Sequence, residues 1–504
     1  MHPSNFLRTV AAVAIAAWAP ASVPAEVPRS ATSSPPVRFA PCELQGPDGV
    51  VSIAAECARV SVPEDYAQPA GRRVELFVAR LAAVSRRKSA DPLVIVAGGP
   101  GLGASALYPG IAVSLARVRR ERDVLVIDQR GTGKSAPLDC AFDEQRMWEP
   151  DEHETARVMR ECLAKLGEQH DVAQYTTSVA VRDLEQTRLA LGYASFNFYA
   201  SSYGTRVAQH YARRFPRTTR SLILDGVVPA PLIIGPATPL DAQAALDRVF
   251  ERCRDDAQCS ARFGDPRADY EALRMRLSDA PVVVSLADPR TGKPQQHNFT
   301  AADYVGALRL ASYGAERAAL LPLMLSMAHR DGQFAPLASQ YLMMAAGYDA
   351  VIAYGMHNTV VCSEDVPFYD GIALDRERIA RTFLGTAQLD ALRALCSGWP
   401  TGPVDADLHA TLHSEVPALL LSGTADPVTP AAYGDLAAQS FSRAVHVKVL
   451  DQGHGQIVQP CAGRVLAQFL ELAGRPADLG QLDSGCLDSL RPPPFFLSFG
   501  GPAP

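Results

Sequence analysis

Residues 196–216, FNFYASSYGTRVAQHYARRFP, join a short apolar strand to a helix through a tight turn. The aromatic run at 196–200 is typical of a buried strand. The run at 205–214 has helical spacing and stops just before a proline. Ser202 lies at the turn between them. Because such a turn presents a serine hydroxyl at the edge of a sheet, the sequence predicts Ser202 as a nucleophile.

Short apolar strands alternate with helices on both sides of this turn. The predicted strands lie at 73–81, 92–97, 123–127 and 221–227, and a predicted helix lies at 175–191. This alternation predicts an α/β fold with a mostly parallel sheet that is covered on both faces.

The alternation stops near residue 235 and resumes near residue 413 with strands at 417–422 and 444–450. The intervening sequence has mainly helical patterns, including one long helix at 316–328. We therefore expect one sheet that is interrupted by an insertion. The predicted parts are a first core part at 26–235, a mainly helical insertion at 236–412, and a second core part at 413–504 that ends in a Pro- and Phe-rich tail packed on the body.

The first 25 residues have the pattern of a signal peptide. Arg8 supplies positive charge, an apolar run covers 9–18, and small residues precede a plausible cleavage point after Ala25. A run this short does not span a bilayer, which needs about 20 residues. The sequence therefore predicts export to the periplasm or the medium, without stable membrane insertion.

An exported chain meets an oxidising environment in which its 10 cysteines can pair. Proximity in the sequence suggests five pairs, although spacing alone does not fix connectivity. These pairs are Cys42–Cys57, Cys140–Cys162, Cys253–Cys259, Cys362–Cys396 and Cys461–Cys486.

Charge and motif spacing argue against several classes of function. Lys and Arg total 48 against 54 Asp and Glu, so a nucleic-acid partner is not expected. The absence of a C-x-x-C pair and the scatter of the 11 histidines disfavour a zinc site, and no metal is predicted. The stretch GTGKS at 131–135 resembles a phosphate-binding loop, but that loop needs glycine at the position of Asp128.

A serine nucleophile needs a base and an acid that orients the base. On this type of turn the chain order is Ser, then Asp or Glu, then His. Asp426 follows the strand at 417–422, and His454 follows the strand at 444–450 between two glycines. We therefore predict Ser202, Asp426 and His454 as a catalytic triad. The rival residues are Asp451 as the acid and His409, His413 and His446 as the base.

Acyl transfer also needs hydrogen-bond donors for the developing oxyanion. The glycine-rich loop GGPG at 98–101 follows the strand at 92–97, where such a loop offers a backbone N–H. Gly99 N–H and Tyr203 N–H are the predicted donors. The predicted chemistry requires neither a metal nor an organic cofactor.

These motifs together resemble an α/β-hydrolase of the proline iminopeptidase and tripeptidyl aminopeptidase type. The resemblance is carried by GGPG at 98–101, DQRGTGKS at 128–135, SSYG at 201–204, and the Asp426 and His454 pair. This sequence departs from the family where Ala97 replaces the usual histidine and Ala200 replaces the usual glycine.

The resemblance implies a helical cap and an exported serine aminopeptidase that binds the substrate's free ammonium through acidic cap residues. Cys362-Ser363-Glu364-Asp365 resembles an acidic stretch of secreted members, which makes Glu364 and Asp365 candidate substrate-binding residues. A carboxylesterase or lipase-like hydrolase with the same triad is the main alternative, since a fold does not decide the substrate. A peptide or small ester is the expected partner, and the oligomeric state stays open.

Overall fold

A mostly parallel sheet lies at the centre of the chain. The computed structural model describes residues 37–47, 49–140, 152–288, 291–474 and 479–501, so the predicted signal peptide at 1–25 lies outside the described residues. The strands are β1 Ala40–Gln45, β2 Ser52–Pro63, β3 Arg73–Leu81, β4 Leu93–Val96, β5 Val124–Ile127, β6 Phe196–Ser201, β7 Thr219–Asp225, β8 Val282–Ala287, β9 Pro294–Phe299, β10 Ala418–Gly423 and β11 Ala444–Val449.

The order of the strands in the main sheet is β1-β2-β3-β5-β4-β6-β7-β10-β11. From β5 to β11 the neighbouring strands are parallel, and from β1 to β5 they are antiparallel. Because the carboxyl ends of parallel strands lie along one edge, the loops after β4, β6, β10 and β11 meet there. The predicted α/β fold is confirmed.

Both faces of the sheet are buried, as the apolar runs in the strands predict. Along β7, Leu222 and Leu224 belong to one apolar cluster, and Ile223 between them belongs to the cluster on the other face. Strand side chains point alternately to opposite faces, which explains this division. In β4 and β5 every residue is buried.

Helices cover both faces and fill the long connections. Their bounds are α1 Ala104–Ile111, α2 Val118–Glu121, α3 Glu152–Gly167, α4 Thr177–Leu191, α5 Tyr203–Arg214, α6 Thr238–Asp255, α7 Ala257–Phe263, α8 Pro266–Asp279, α9 Ala301–Ser312, α10 Ala315–Ala318, α11 Leu321–Arg330, α12 Ala335–Asp349, α13 Tyr354–Glu364, α14 Arg376–Ala380, α15 Ala387–Cys396, α16 Ala431–Ala438, α17 Ala462–Leu472 and α18 Gly485–Asp488. In the part of the chain that the structure describes, no helix combines the length and apolar character needed to cross a membrane.

Helices α6 to α15 and the hairpin β8–β9 lie between β7 and β10 in the chain. Helices α6 through α12 contribute to a separate apolar cluster that includes Leu246, Phe250 and Leu308. By contrast, Met356 and Val360 of α13 pack in the cluster on one face of the sheet. The domain boundaries near 235 and 412 stay a prediction.

Two local expectations have different outcomes. The prediction of a single helix at 316–328 is wrong. The chain forms two helices there, α10 and α11, and Pro322 lies in the first turn of α11. Proline fits a first helical turn but interrupts a helix interior. In the tail, Phe495 is buried in the cluster of the insertion, as predicted, whereas Phe499 is exposed.

The five predicted disulfides are all present. They are Cys42–Cys57, Cys140–Cys162, Cys253–Cys259, Cys362–Cys396 and Cys461–Cys486. Each closes a short loop, the longest with a sequence separation of 34 residues. A closed loop stabilises the fold chiefly by restricting the unfolded chain.

The DQRGTGKS segment has a structural role. The buried Asp128 carboxylate accepts hydrogen bonds from the Ser105 N–H and from the Lys134 N–H, at 2.7 and 2.8 Å. The buried Arg130 guanidinium forms two hydrogen bonds of 2.6 Å with the Asp183 carboxylate on α4. The segment therefore joins the loop after β5 to α1 and α4.

Candidate active site

Ser202 lies at a sharp turn between β6 and α5. Its φ of 54° and ψ of −128° are unusual for a residue with a side chain. The Ser202 N–H donates to the Asp225 carbonyl oxygen at 2.9 Å, and the Ser202 carbonyl oxygen accepts from the Thr205 hydroxyl at 2.6 Å. These bonds hold the turn in a conformation that projects the serine hydroxyl from the sheet edge.

The glycine-rich loop after β4 lies directly against this turn. A Cβ atom at Gly98 would lie 2.7 Å from the Ser202 Cβ, so no larger residue fits there. The predicted oxyanion residues Gly99 and Tyr203 line one cleft together with Ser202. Tyr203 is also the first residue of α5, where a backbone N–H has no partner within the helix.

Asp426 and His454 form a hydrogen-bonded pair on the loops after β10 and β11. The His454 Nδ1 lies 2.8 Å from the Asp426 Oδ2. The N–H groups of Val428 and Thr429 donate to the Asp426 Oδ1 at 2.8 and 2.9 Å. These bonds fix the carboxylate, which in turn orients the imidazole.

The electrostatic surroundings of His454 favour proton uptake. Burial by itself lowers the pKa of His454, but the charge and hydrogen bond of Asp426 outweigh it and raise the pKa above its usual value. A base whose charged form is stabilised in this way accepts a proton readily at neutral pH.

Thr429 was missed by the sequence reasoning. Its hydroxyl donates to the Asp426 Oδ2 at 2.8 Å and lies 3.1 Å from the His454 Nδ1. Thr429 also lines the cleft that contains Ser202. The stretch DPVT at 426–429 is an Asx-turn pattern and was the available signal.

Two of the rival residues pair with other charged side chains. Asp451 forms an ion pair with Arg248. His446 lies in β11, and its Nδ1 is 3.0 Å from an Asp435 carboxylate oxygen. His413 lines a separate surface cleft.

The cleft beside Ser202 has apolar walls and one carboxylate among the described residues that line it. Its apolar wall residues include Val228, Leu232, Ile233, Ile234 and Val428. The carboxylate is that of Asp241, near the start of α6, and its Oδ2 accepts from the Tyr433 hydroxyl at 2.6 Å. Burial, and then the charge of Asp426, raise the pKa of Asp241 above its usual value.

Glu364 and Asp365 lie behind the wall of this cleft and do not line it. The Glu364 carboxylate accepts from the Thr177 N–H at 2.6 Å and from its hydroxyl at 2.8 Å. The Asp365 carboxylate forms two hydrogen bonds with Arg206 and accepts from the Ile234 N–H at 2.7 Å. Their predicted contact with a substrate ammonium stays a prediction.

Within the described residues, no group of three or more His, Cys, Asp or Glu side chains is arranged to hold a metal ion. The paired cysteines are likewise not ligands, because each belongs to a disulfide.

Two family models match the chain. Residues 91–257 match a family described as the alpha/beta hydrolase fold, and residues 381–483 match one described as TAP-like protein. Together with the sheet described above, these matches show that the chain has the α/β-hydrolase fold, as the resemblance of its motifs predicted.

Relatives narrow the class. Serine protease Hip1 of Mycobacterium tuberculosis is 27% identical over 445 residues, which cover 80% of this chain and 82% of Hip1. Carboxylesterase B of the same organism is 27% identical over 441 residues, covering 79% and 81%. Tripeptidyl aminopeptidase of Streptomyces coelicolor is 29% identical over 248 residues, 45% of each chain. These relatives support a serine hydrolase.

Among solved structures, the proline iminopeptidase of Mycobacterium smegmatis is 17% identical to this chain. The match covers 82% of this chain and 98% of that one, with a TM-score of 0.38.

Proposed function

We propose that the chain is an exported serine peptidase that releases residues or short peptides from the N-termini of peptides. The observation that carries this proposal is the Asp241 carboxylate in the cleft beside Ser202. A free ammonium group that enters a poorly solvated cleft needs an opposite charge, and a carboxylate there supplies it. Relatives named serine protease and tripeptidyl aminopeptidase support the same class.

The chemistry follows from the proposed triad. His454 takes the proton of the Ser202 hydroxyl while the Ser202 oxygen attacks the scissile carbonyl carbon. Asp426 keeps the His454 imidazole in the required tautomer. The N–H groups of Gly99 and Tyr203 stabilise the oxyanion. His454 then protonates the leaving amine, and water hydrolyses the acyl-enzyme with His454 again as the base.

The amine-binding role of Asp241 is supported by its setting. The side chain is half-buried, and the Tyr433 hydroxyl fixes one of its oxygens. An ammonium beside it would favour the charged carboxylate and offset the rise in its pKa that burial causes.

The test compares peptide anilides with a free N-terminus and the same anilides after N-acetylation. We expect wild type to prefer the free amines. Asp241→Asn should raise KM for them about 10- to 100-fold, since a hydrogen bond to a charged group contributes about 1.5–3 kcal/mol. Its activity toward a neutral ester should change little. Asp370→Asn, which alters an exposed carboxylate, is the matched control.

A carboxylesterase is the second candidate, and the apolar walls of the cleft favour it. This chain is also similar to a relative named Carboxylesterase B, with 27% identity over 441 residues. Rapid turnover of short-chain esters, with no cleavage of free-amine peptides, would support the esterase and contradict the peptidase.

Export is the remaining part of the proposal, and the five disulfides support it because such bonds persist in oxidising compartments. Sequencing the N-terminus of protein recovered from the periplasm or medium tests it. We expect a new terminus near residue 26 and no free thiol. An intact N-terminus on protein confined to the cytoplasm would refute export.

A further inference from the structure

The insertion reaches the loop that carries His454. The Tyr313 carbonyl, at the end of α9, accepts a hydrogen bond of 2.9 Å from the His454 N–H. The Tyr313 and His454 rings also meet edge to face, with centroids 5.5 Å apart and an angle of 77° between their planes. One residue of the insertion thus contacts both the backbone and the side chain of the candidate base.

A second contact lies three residues before His454. The Arg248 guanidinium on α6 pairs with the Asp451 carboxylate. Asp451 has a φ of 53°, which is unusual for a residue with a side chain. Its N–H donates to the Thr424 hydroxyl at 2.8 Å, in the loop that leads to Asp426. Asp451 is therefore held by the insertion on one side and by the sheet edge on the other.

Close approach between the two parts depends on Gly453. A Cβ atom at this position would lie 2.4 Å from the Tyr313 carbonyl oxygen. Any larger residue would push the end of α9 away from the loop and break the hydrogen bond to the His454 N–H.

All five disulfides lie within the described residues. None of them links the part of the insertion that contains helices α6 through α12 to the sheet. Noncovalent contacts such as those of Tyr313 and Arg248 therefore connect this part of the insertion to the catalytic edge. Since a shift of about 1 Å in a catalytic group can lower a rate about 100-fold, the position of the insertion matters for catalysis.

We propose that Tyr313 and Arg248 are positioning residues, which hold the loop 451–455 so that His454 can act on Ser202. The base is then competent only while the insertion is seated on the loop. This inference rests on the proposed role of His454, and it assigns to the insertion a part in catalysis besides substrate binding.

The main test is Arg248→Gln, with Arg254→Gln as the matched control. Both arginines lie on α6 with similarly exposed side chains, but Arg254 pairs with Asp265 inside the insertion. With p-nitrophenyl acetate, we expect Arg248→Gln to lower kcat about 10- to 100-fold with KM within about twofold. Arg254→Gln should match wild type, and Arg248→Lys should restore most of the rate. Thermal melting and titration of active sites confirm that each variant is folded.

Gly453→Ala tests the Tyr313 contact independently and should give the same loss of kcat. If it does not fold, the Arg248 series decides alone. A folded Arg248→Gln enzyme with the kcat of wild type overturns the inference, as does a drop in kcat that Arg254→Gln shares.

Labelling by a fluorophosphonate separates this failure from failure of the proposed function. If wild type is labelled at Ser202 and Arg248→Gln is labelled equally fast, the positioning role alone is refuted. If Ser202→Ala hydrolyses the ester as fast as wild type, the proposed triad is refuted, and the positioning role with it.

Discussion

Replacement of Asp365 by alanine tests whether this carboxylate stabilises the fold or binds substrate. Asp365 and Arg206 are both almost fully buried, and two hydrogen bonds of 3.0 and 2.9 Å join them. The same carboxylate accepts from the Ile234 N–H, and the Arg206 guanidinium donates to the Leu232 carbonyl. The pair therefore fixes the cleft wall that contains Leu232 and Ile234.

Asp365→Ala leaves the Arg206 charge buried without its bidentate partner. Breaking a buried ion pair in this way typically costs about 3–5 kcal/mol. The Ile234 N–H also loses its acceptor, which destabilises the fold further. We therefore expect the free energy of unfolding to fall by at least about 3 kcal/mol. Asp370→Ala is the matched control, because its carboxylate is 89% exposed, and its effect should stay within about 0.5 kcal/mol.

Urea unfolding, followed by tryptophan fluorescence, measures both changes, since Trp399 is buried in the apolar cluster on one face of the sheet. Asp365→Ala should also lower kcat/KM for esters and for free-amine peptides alike, because the cleft wall loses its anchor. Unfolding free energy within about 1 kcal/mol of wild type, combined with a selective loss of free-amine substrates, would refute this reasoning and assign the ammonium to Asp365.

Three further predictions concern charge and hydrogen bonding at the site. His454 must be neutral to act as a base, and its pKa is raised, so kcat/KM should rise with pH through a midpoint above about 6.5. Asp426→Asn removes the charge that raises this pKa, so it should lower the midpoint, and it should also reduce kcat by about 10⁴. Thr429→Val should reduce kcat about 2- to 10-fold through loss of the hydrogen bond to Asp426, and Thr429→Ser should retain the rate. Burial raises the pKa of Glu364 from 4.5 to about 7, so folding takes up a proton between these values, and stability should fall as the pH rises through this window. Urea unfolding at pH 5 and 8 should show a smaller fall for Glu364→Gln, and an equal fall would contradict the assignment.

Much of the sheet edge was predictable because it depends on local patterns. The strand before Ser202 and the strands before Asp426 and His454 are apolar runs that end in polar or glycine-rich loops. Parallel strands bring such loops to one edge, and the neighbouring parallel strands β10 and β11 bring Asp426 and His454 within 2.8 Å of each other. The disulfides were predictable for a similar reason, since each joins cysteines that are close in the sequence.

The contribution of the insertion was not predictable from local patterns. Asp241 lies in the first turn of α6, where an acidic residue is ordinary because it complements the helix dipole. Tyr313 acts in part through its backbone carbonyl, which no side-chain pattern reports. Strand β9, PQQHNF, lacks the apolar alternation of a half-buried strand and forms by pairing with β8.

The point at which the chain leaves the sheet explains why the insertion contributes to the site. It begins after β7, whose carboxyl end lies at the same edge as Ser202, because β6 and β7 are parallel neighbours. Asp225 ends β7, and its buried carboxylate accepts from the Gln456 N–H and the Ile457 N–H at 2.7 and 2.9 Å, just after His454. Ala237, Thr238 and Asp241 at the start of the insertion line the cleft, so changes there can alter the substrate while the strands before the proposed triad residues stay the same.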